Sequence, residues 1–239
     1  TTIKLILDMI RRDSGEIQVL GRDNRTDFSR TKEELGVVLD EAYFPAGITA
    51  RQVNAVMKNA YRRWEEERFF EYIRRFSLPE NKSFKDFSRG MKMKLAIAVA
   101  LSHQARLLIL DEATSGLDPM VRDEIVDLFY EYTREEDHSI LVSSHIISDL
   151  EKLCDYIAFL HKGRLLFCEE KDRLKEHFGL LRGPRSLLDS LPPAAVRGIR
   201  QSDYAVEALV ERYRVPTSLH LDTPTVEKII LLLAKGEHW

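Results

Sequence analysis

The sequence predicts an α/β fold built on a mostly parallel sheet, and three observations carry that prediction. Leu107-Leu108-Ile109-Leu110 is a short apolar run that stops at two adjacent carboxylates, Asp111 and Glu112. A run of that length bounded by polar residues fits a strand buried on both faces of a parallel sheet. Ile140-Leu141-Val142 is a second buried-type run, closing with Ser143-Ser144-His145. Between the two, the segment after Pro119 carries Val121, Ile125, Leu128 and Phe129 as a one-sided apolar stripe, the mark of a helix that packs on the sheet.

In chain order, Thr1 to Leu7 reads as a helix already in progress, with no cap before it. Glu16 to Leu20 reads as a strand ended by Gly21, and Leu35 to Leu39 as another that ends at Asp40-Glu41. Val53 to Trp64 and Glu66 to Phe76 are helical stretches rich in charge and aromatics. Tyr43, Phe44 and Pro45 precede them, and Phe44 is expected to pack among them. Arg62-Arg63-Trp64-Glu65-Glu66-Glu67-Arg68 reads as a solvated helix face with i,i+4 ion pairs. Ser88 is a good N-cap for a helix running through Leu101, in which Met91, Met93, Ile97 and Ala100 pack. Ser115-Gly116-Leu117-Asp118-Pro119 reads as a tight turn, then a helix with Asp118 as N-cap and Pro119 at its first position.

Beyond His145, Ile146 to Leu153 reads as a short helix. Tyr156 to Leu160 and Arg164 to Phe167 read as a hairpin across His161-Lys162-Gly163. Residues 169–239 change punctuation, with Gly183-Pro184, Pro192-Pro193 and Val215-Pro216, and read as a small α/β addition. Thr223-Pro224 is expected to cap a last helix, Val226 to Lys235. His103, His138 and His177 have no partner motif and are assigned to exposed surface.

Composition narrows the function classes. The chain has 239 residues, 44% hydrophobic and 31% charged, an ordinary globular mix with enough length for one sizeable core and an appendage. A net charge of -3 lends no support to nucleic-acid binding. Cys154 and Cys168 suggest no disulfide framework, and a reducing setting is the default. No apolar run approaches the roughly 20 residues of a membrane span.

A bare Asp-Glu pair after an apolar run is as a rule a solvated strand end. Charge at the carboxyl end of a buried strand nevertheless sits where open α/β sheets bind ligands. Two acids there suit a magnesium nucleotide, one holding the metal through its shell and the other polarising a water. The turn at residues 115–119, the closing His145 and the helix opening at Phe87-Ser88-Arg89-Gly90-Met91 tip the balance toward that function.

These segments, in this order and spacing, resemble the nucleotide-binding subunit of an ABC transporter, an exporter-type bacterial branch of the P-loop NTPases. Asp111-Glu112 match the Walker B motif and its catalytic glutamate, Ser115 to Asp118 the D-loop, His145 the switch histidine, and Phe87 to Met91 a diverged signature. The resemblance covers residues 1 to about 168, with a helical subdomain at about 42–100, and leaves 169–239 as an accessory region. It implies ATP and Mg2+ as cofactors, a paired ATPase subunit, an integral membrane permease as partner, and a place on the cytoplasmic face of the membrane.

The resemblance also implies roles. Glu112 and His145 are catalytic; Ser88, Gly90 and Asp118 contact nucleotide or communicate across a dimer; Asp111 is a metal contact. Asp40 stands where the family has a glutamine and is either a further metal contact or a surface loop acid; Arg89 stands where it has the signature's first glycine and either compensates as a cation toward nucleotide or points to solvent; Met91 stands where it has a glutamine. The phosphate-binding loop and the strand before it would precede Thr1. Two readings follow: the sequence is part of a longer protein, or it is a short, non-hydrolysing remnant or regulatory module. Retention of every later motif acid and of the histidine favours the first.

Overall fold

The computed structural model describes residues 1–189, 191–201 and 205–235. The chain divides into two compact units, Thr1–Ile146 and Ile147–Trp239. The boundary falls at the end of the His145 segment, so the hairpin that the sequence grouped with residues 1–168 belongs to the second unit by its contacts.

The first unit opens with helix α1 (Thr2–Ile6). Asn24, buried, closes that helix: its amide donates to the carbonyls of Leu5 and Ile6 and its oxygen accepts from Arg12 at 2.6 Å. The helix's orphan C-terminal carbonyls are thereby satisfied by a side chain. The strand expected at Glu16 to Leu20 is reduced to β1 (Gln18–Val19), which pairs antiparallel with β2 (Arg22–Asp23). Leu20 and Gly21 both take positive φ, 51° and 75°, the backbone of a tight two-residue hairpin, and that turn consumes the end of the predicted strand.

After a short helix α2 (Phe28–Thr31) comes β3 (Leu35–Val38), which pairs in parallel with β4 (Leu107–Asp111), and β4 pairs in parallel with β5 (Ser139–Ser143). Leu108, Ile109 and Leu110 are fully buried, as a central strand requires. The expectation of burial fails for β5. It lies at the edge of the three-stranded sheet and Leu141 is 40% exposed.

Between β3 and β4 lie α3 (Ala50–Ala60), α4 (Glu66–Arg75) and α5 (Arg89–Ala100). Thr49 and Gln52 form a reciprocal capping box at the start of α3. The first predicted helix ends four residues early, at Ala60. The Arg62–Arg68 run is accordingly not one helix face: residues 61–65 connect two helices, and Trp64 turns inward to donate to Asn54 at 2.8 Å. Phe44 packs edge-on against Phe84, while Tyr43 is exposed. Helix α6 (Pro119–Tyr132) follows β4 and buries Ile125, Val126, Leu128 and Phe129.

His103 corrects its surface assignment. It is 1% exposed, its ring stacks on Tyr61 at 4.0 Å, and its nitrogens approach the carbonyls of Val99 (3.1 Å) and Leu35 (2.8 Å). Burial pushes its pKa down, against the pull of the two carbonyls. A neutral imidazole donates from only one nitrogen, so burial outweighs the second hydrogen bond that the charged ring would make. His138 is half-buried, stacked on Tyr132 at 4.2 Å. His177 is exposed, as expected.

The second unit holds α7 (Ile147–Leu153), the hairpin β6 (Tyr156–His161) and β7 (Arg164–Glu170), and α8 (Lys171–His177). An antiparallel sheet of β8 (Phe178–Gly183), β9 (Val196–Gln201) and β10 (Val206–Glu211) follows, with β10 in the middle. Short α9 (Ser186–Asp189) and terminal α10 (Val226–Lys235) complete it. Its core includes Leu174, Phe178, Leu180, Leu209, Ile229 and Leu232. The cap of α10 is Thr225, whose hydroxyl accepts from the Lys228 N–H at 3.2 Å, not the predicted Thr223. Cys154 and Cys168 are free thiols, and burial lifts that of Cys154 to about 11.

Candidate active site

Three parallel strands end side by side, and chemistry-bearing residues stand at those ends. The register pairs Asp111 with Ser143, so the carboxylate and the hydroxyl meet across two neighbouring strands. Ser143 donates its hydroxyl to Asp111 Oδ1. One carboxylate oxygen is thus held by the scaffold.

Glu112 follows in a left-handed backbone conformation, φ 53°. Non-glycine residues adopt that region at a cost of about 1–3 kcal/mol and do so mostly where the surroundings enforce it. Here the Glu112 N–H donates to the Ser143 carbonyl at 3.0 Å, extending the ladder by one bond, while the Glu112 carbonyl accepts from Ser115 at 2.9 Å and starts the turn. The chain swings off the sheet and the side chain is presented beside β5. There Glu112 Oε2 lies 2.6 Å from Nδ1 of His145. The histidine side chain is 68% exposed and the glutamate 29%, so the pair borders solvent on the imidazole side. Accepting at Oε2 fixes the ring: Nδ1 carries a proton toward the glutamate and Nε2 faces outward.

A second grouping forms at the start of α5. Ser88 is the N-cap, accepting from the Met91 N–H at 3.2 Å. Arg89 lies across Gly116: a Cβ added to that glycine would meet the guanidinium Nη1 at 2.7 Å. Gly116 has φ +68°, a conformation that glycine adopts without strain. A Cβ on Gly90 would lie 3.8 Å from Leu117. The structure therefore brings Ser88–Gly90 against the 115–118 turn, which the sequence had read as separate motifs. Asp118 caps α6, accepting from the Val121 N–H at 3.1 Å, with Pro119 at the first helical position as expected.

Asp40 stands apart in its contacts. It follows β3 by two residues, is exposed, and accepts from the Glu41 N–H at 3.1 Å. Among the described residues, no three His, Cys, Asp or Glu side chains gather into a preformed metal cage. The oxygen donors at the strand ends instead fit a hard cation that keeps most of its own water and binds through one or two carboxylates and a phosphate. Ser143 was missed by sequence reasoning. Its signal was positional: it ends the strand that the Asp111 strand pairs with.

The ABC transporter family model matches residues 1–115. The lantibiotic transport ATP-binding protein SrtF of Streptococcus pyogenes is 30% identical over 175 residues, which is 72% of this chain and 74% of that protein. The chain belongs to the ABC transporter ATP-binding family. The bacitracin transport ATP-binding protein BcrA of Bacillus licheniformis is 34% identical over 179 residues, 74% of this chain. That alignment spans 58% of the relative, so the chain covers less than two-thirds of its length. A solved ATP-binding subunit of an ABC transporter superposes with a TM-score of 0.66 at 25% identity, over 73% of this chain and 75% of that one. Membership of this family makes the fold an α/β ATPase core, in keeping with the parallel sheet and the site at its carboxyl edge. No helix among the described residues is long and apolar enough to cross a membrane.

Proposed function

We propose that this protein is the ATP-binding, ATP-hydrolysing subunit that powers a bacterial exporter whose permease is a separate chain. The observation that carries this reading is the 2.6 Å pairing of Glu112 with His145 at the carboxyl end of a parallel sheet, next to a scaffold-held Asp111. The ABC transporter family binds ATP with Mg2+, and two of this chain's relatives are named for bacitracin and lantibiotic transport. Those names support transport as the work that is powered.

When bound, ATP supplies the transferable phosphoryl group and Mg2+ spreads its charge. The protein's part is positioning and electrostatics. Asp111 would hold the metal, directly or through a bound water, with Asp40 as a further oxygen donor from the neighbouring strand end. Glu112 orients a water and accepts its proton as that water attacks. His145, held in one tautomer and orientation by Glu112, turns Nε2 toward the terminal phosphate. Ser88, Arg89 and Gly90 offer N–H groups and a cation to the phosphates of nucleotide held by a paired subunit. Asp118, fixed as a helix cap, carries the state of the site across that pair. The subunit works on the cytoplasmic face of the membrane, docked to the permease through the helical region around residues 42–100.

The test is Glu112→Gln in the protein expressed from its native gene. The change keeps size and removes the proton acceptor, so steady-state hydrolysis should fall about a hundredfold or more while ATP binding persists. Near-normal turnover refutes the role of Glu112. Absence of ATP binding in the unmodified protein favours a non-hydrolysing regulatory module.

A further inference from the structure

The second unit contains a cavity of about 740 Å³ that shares no residue with the Glu112–His145 cluster. It is framed by the β6–β7 hairpin, α8, the start of β9 and the end of α10. Cavities of 300–1,000 Å³ with an apolar lining and a few convergent polar groups are the usual form of small-molecule sites.

Its two faces differ in character. Leu174 and Phe178, both buried, and the partly buried Leu233 form an apolar floor. Leu166, 44% exposed, adds an apolar wall that water now wets. The rim is cationic: Lys162, Arg173 and Arg197 line it against a single carboxylate, Glu169, with His161 and His177 between them.

Neighbouring acids offset only part of that rim's charge. Glu211 is nearly buried and lies 3.5 Å from Arg197, but it also serves Arg214 at 2.6 Å and His177 at 3.9 Å. Its other demand is the Tyr213 hydroxyl, which donates to Oε2 at 2.6 Å. One carboxylate thus answers two guanidiniums. Arg173 pairs with Glu170 at 3.3 Å, with a side chain 75% exposed and able to turn to a ligand. A site with an unwetted preference on its floor and surplus positive charge at its mouth matches a ligand of the opposite arrangement.

We propose that the C-terminal unit binds a small amphipathic anion, a ligand with an apolar body and a phosphate or carboxylate head. The body lies on Leu166, Leu174 and Leu233, and the head sits between Arg173 and Arg197. This site makes the accessory unit a ligand receptor and gives the subunit an input distinct from nucleotide.

The test is calorimetric titration of the intact protein with octyl phosphate at monomeric concentrations, beside octanol and inorganic phosphate. Octyl phosphate should bind with one-site stoichiometry, and both partial ligands at least about tenfold more weakly, because each lacks one half of the match. The double variant Arg173→Ala/Arg197→Ala should weaken octyl phosphate by about tenfold or more; Glu211 keeps Arg214 and Tyr213 as partners in it, so the fold is spared. Leu166→Ser, at an exposed position, should weaken it less, by a few-fold. Equal binding of octanol and octyl phosphate, full binding by inorganic phosphate alone, indifference to the arginine variants, or no binding at all overturns the proposal.

Discussion

The two units of this chain build their candidate sites in opposite ways. In the first, Asp111, Glu112, Ser143 and His145 stand at the ends of adjacent parallel strands, and the backbone itself aims them: a register pairs Asp111 with Ser143 and a positive φ turns Glu112 aside. In the second, Lys162, Arg173 and Arg197 come from a turn, a helix and a strand, and surround an apolar cavity. A site set by strand ends is compact in sequence and leaves a motif. A site set by packing is scattered and leaves none. Reactive positioning calls for the first arrangement; binding of an amphipathic ligand needs only the second.

Steric changes at two glycines should show the largest stability effects and separate the units. A Cβ at Gly198 would lie 2.1 Å from the Leu232 carbonyl, and one at Gly36 would lie 2.6 Å from the Ala100 carbonyl. Backbone cannot yield cheaply, so each Gly→Ala change should cost about 3 kcal/mol by denaturant titration. Hydrogen exchange locates the damage: lost protection in β8–β10 for Gly198→Ala, and in β3–β4 for Gly36→Ala. The same pattern in both variants would dissolve the distinction between the units.

A smaller effect concerns acid stability. His103 has its folded pKa below the ordinary 6.5, chiefly through burial. The fold therefore favours the neutral ring. Its contribution is complete above the unfolded value, near 6.5, and is lost as pH falls from there through the depressed folded value. His103→Gln should flatten that part of the stability–pH curve while lowering stability at neutral pH. An unchanged acid slope would mean that His103 does not carry it.

The smallest effect probes the contact between the α5 start and the 115–118 turn. Gly116→Ala should cost about 1–2 kcal/mol, from the positive φ and from the approach to Arg89. Adding Arg89→Ala should recover only the steric part, leaving the backbone cost. Full recovery would show that φ contributes nothing; no recovery would show that Arg89 does not press on the glycine.

What was legible in the sequence follows the same division. The apolar run Leu107–Leu110, the two acids after it, the Asp118 cap and the Ser88 cap are all local patterns, and the structure has each in place. His103 was invisible because its environment is made by Leu35, 68 residues away, and by Tyr61 in a separate connection. Trp64 was misread for the same reason: its partner Asn54 lies on the preceding helix and draws it inward. Ile140-Leu141-Val142 has the composition of a central strand, and it lies at the edge of the sheet that the described residues form. The roles proposed for Glu112 and His145 came from motif order, and their contact from the fold.

In the proposed mechanism Glu112 and His145 act as one unit, and a double-mutant cycle on ATP hydrolysis tests this most directly. Glu112→Gln, His145→Ala and the double variant would be compared in the native-gene protein by single-turnover rates. Residues that act together give strongly non-additive losses. The expected result is a double variant no slower, within about threefold, than Glu112→Gln alone. Losses that multiply would mean that the two side chains contribute independently, and that their 2.6 Å contact has no part in the chemistry.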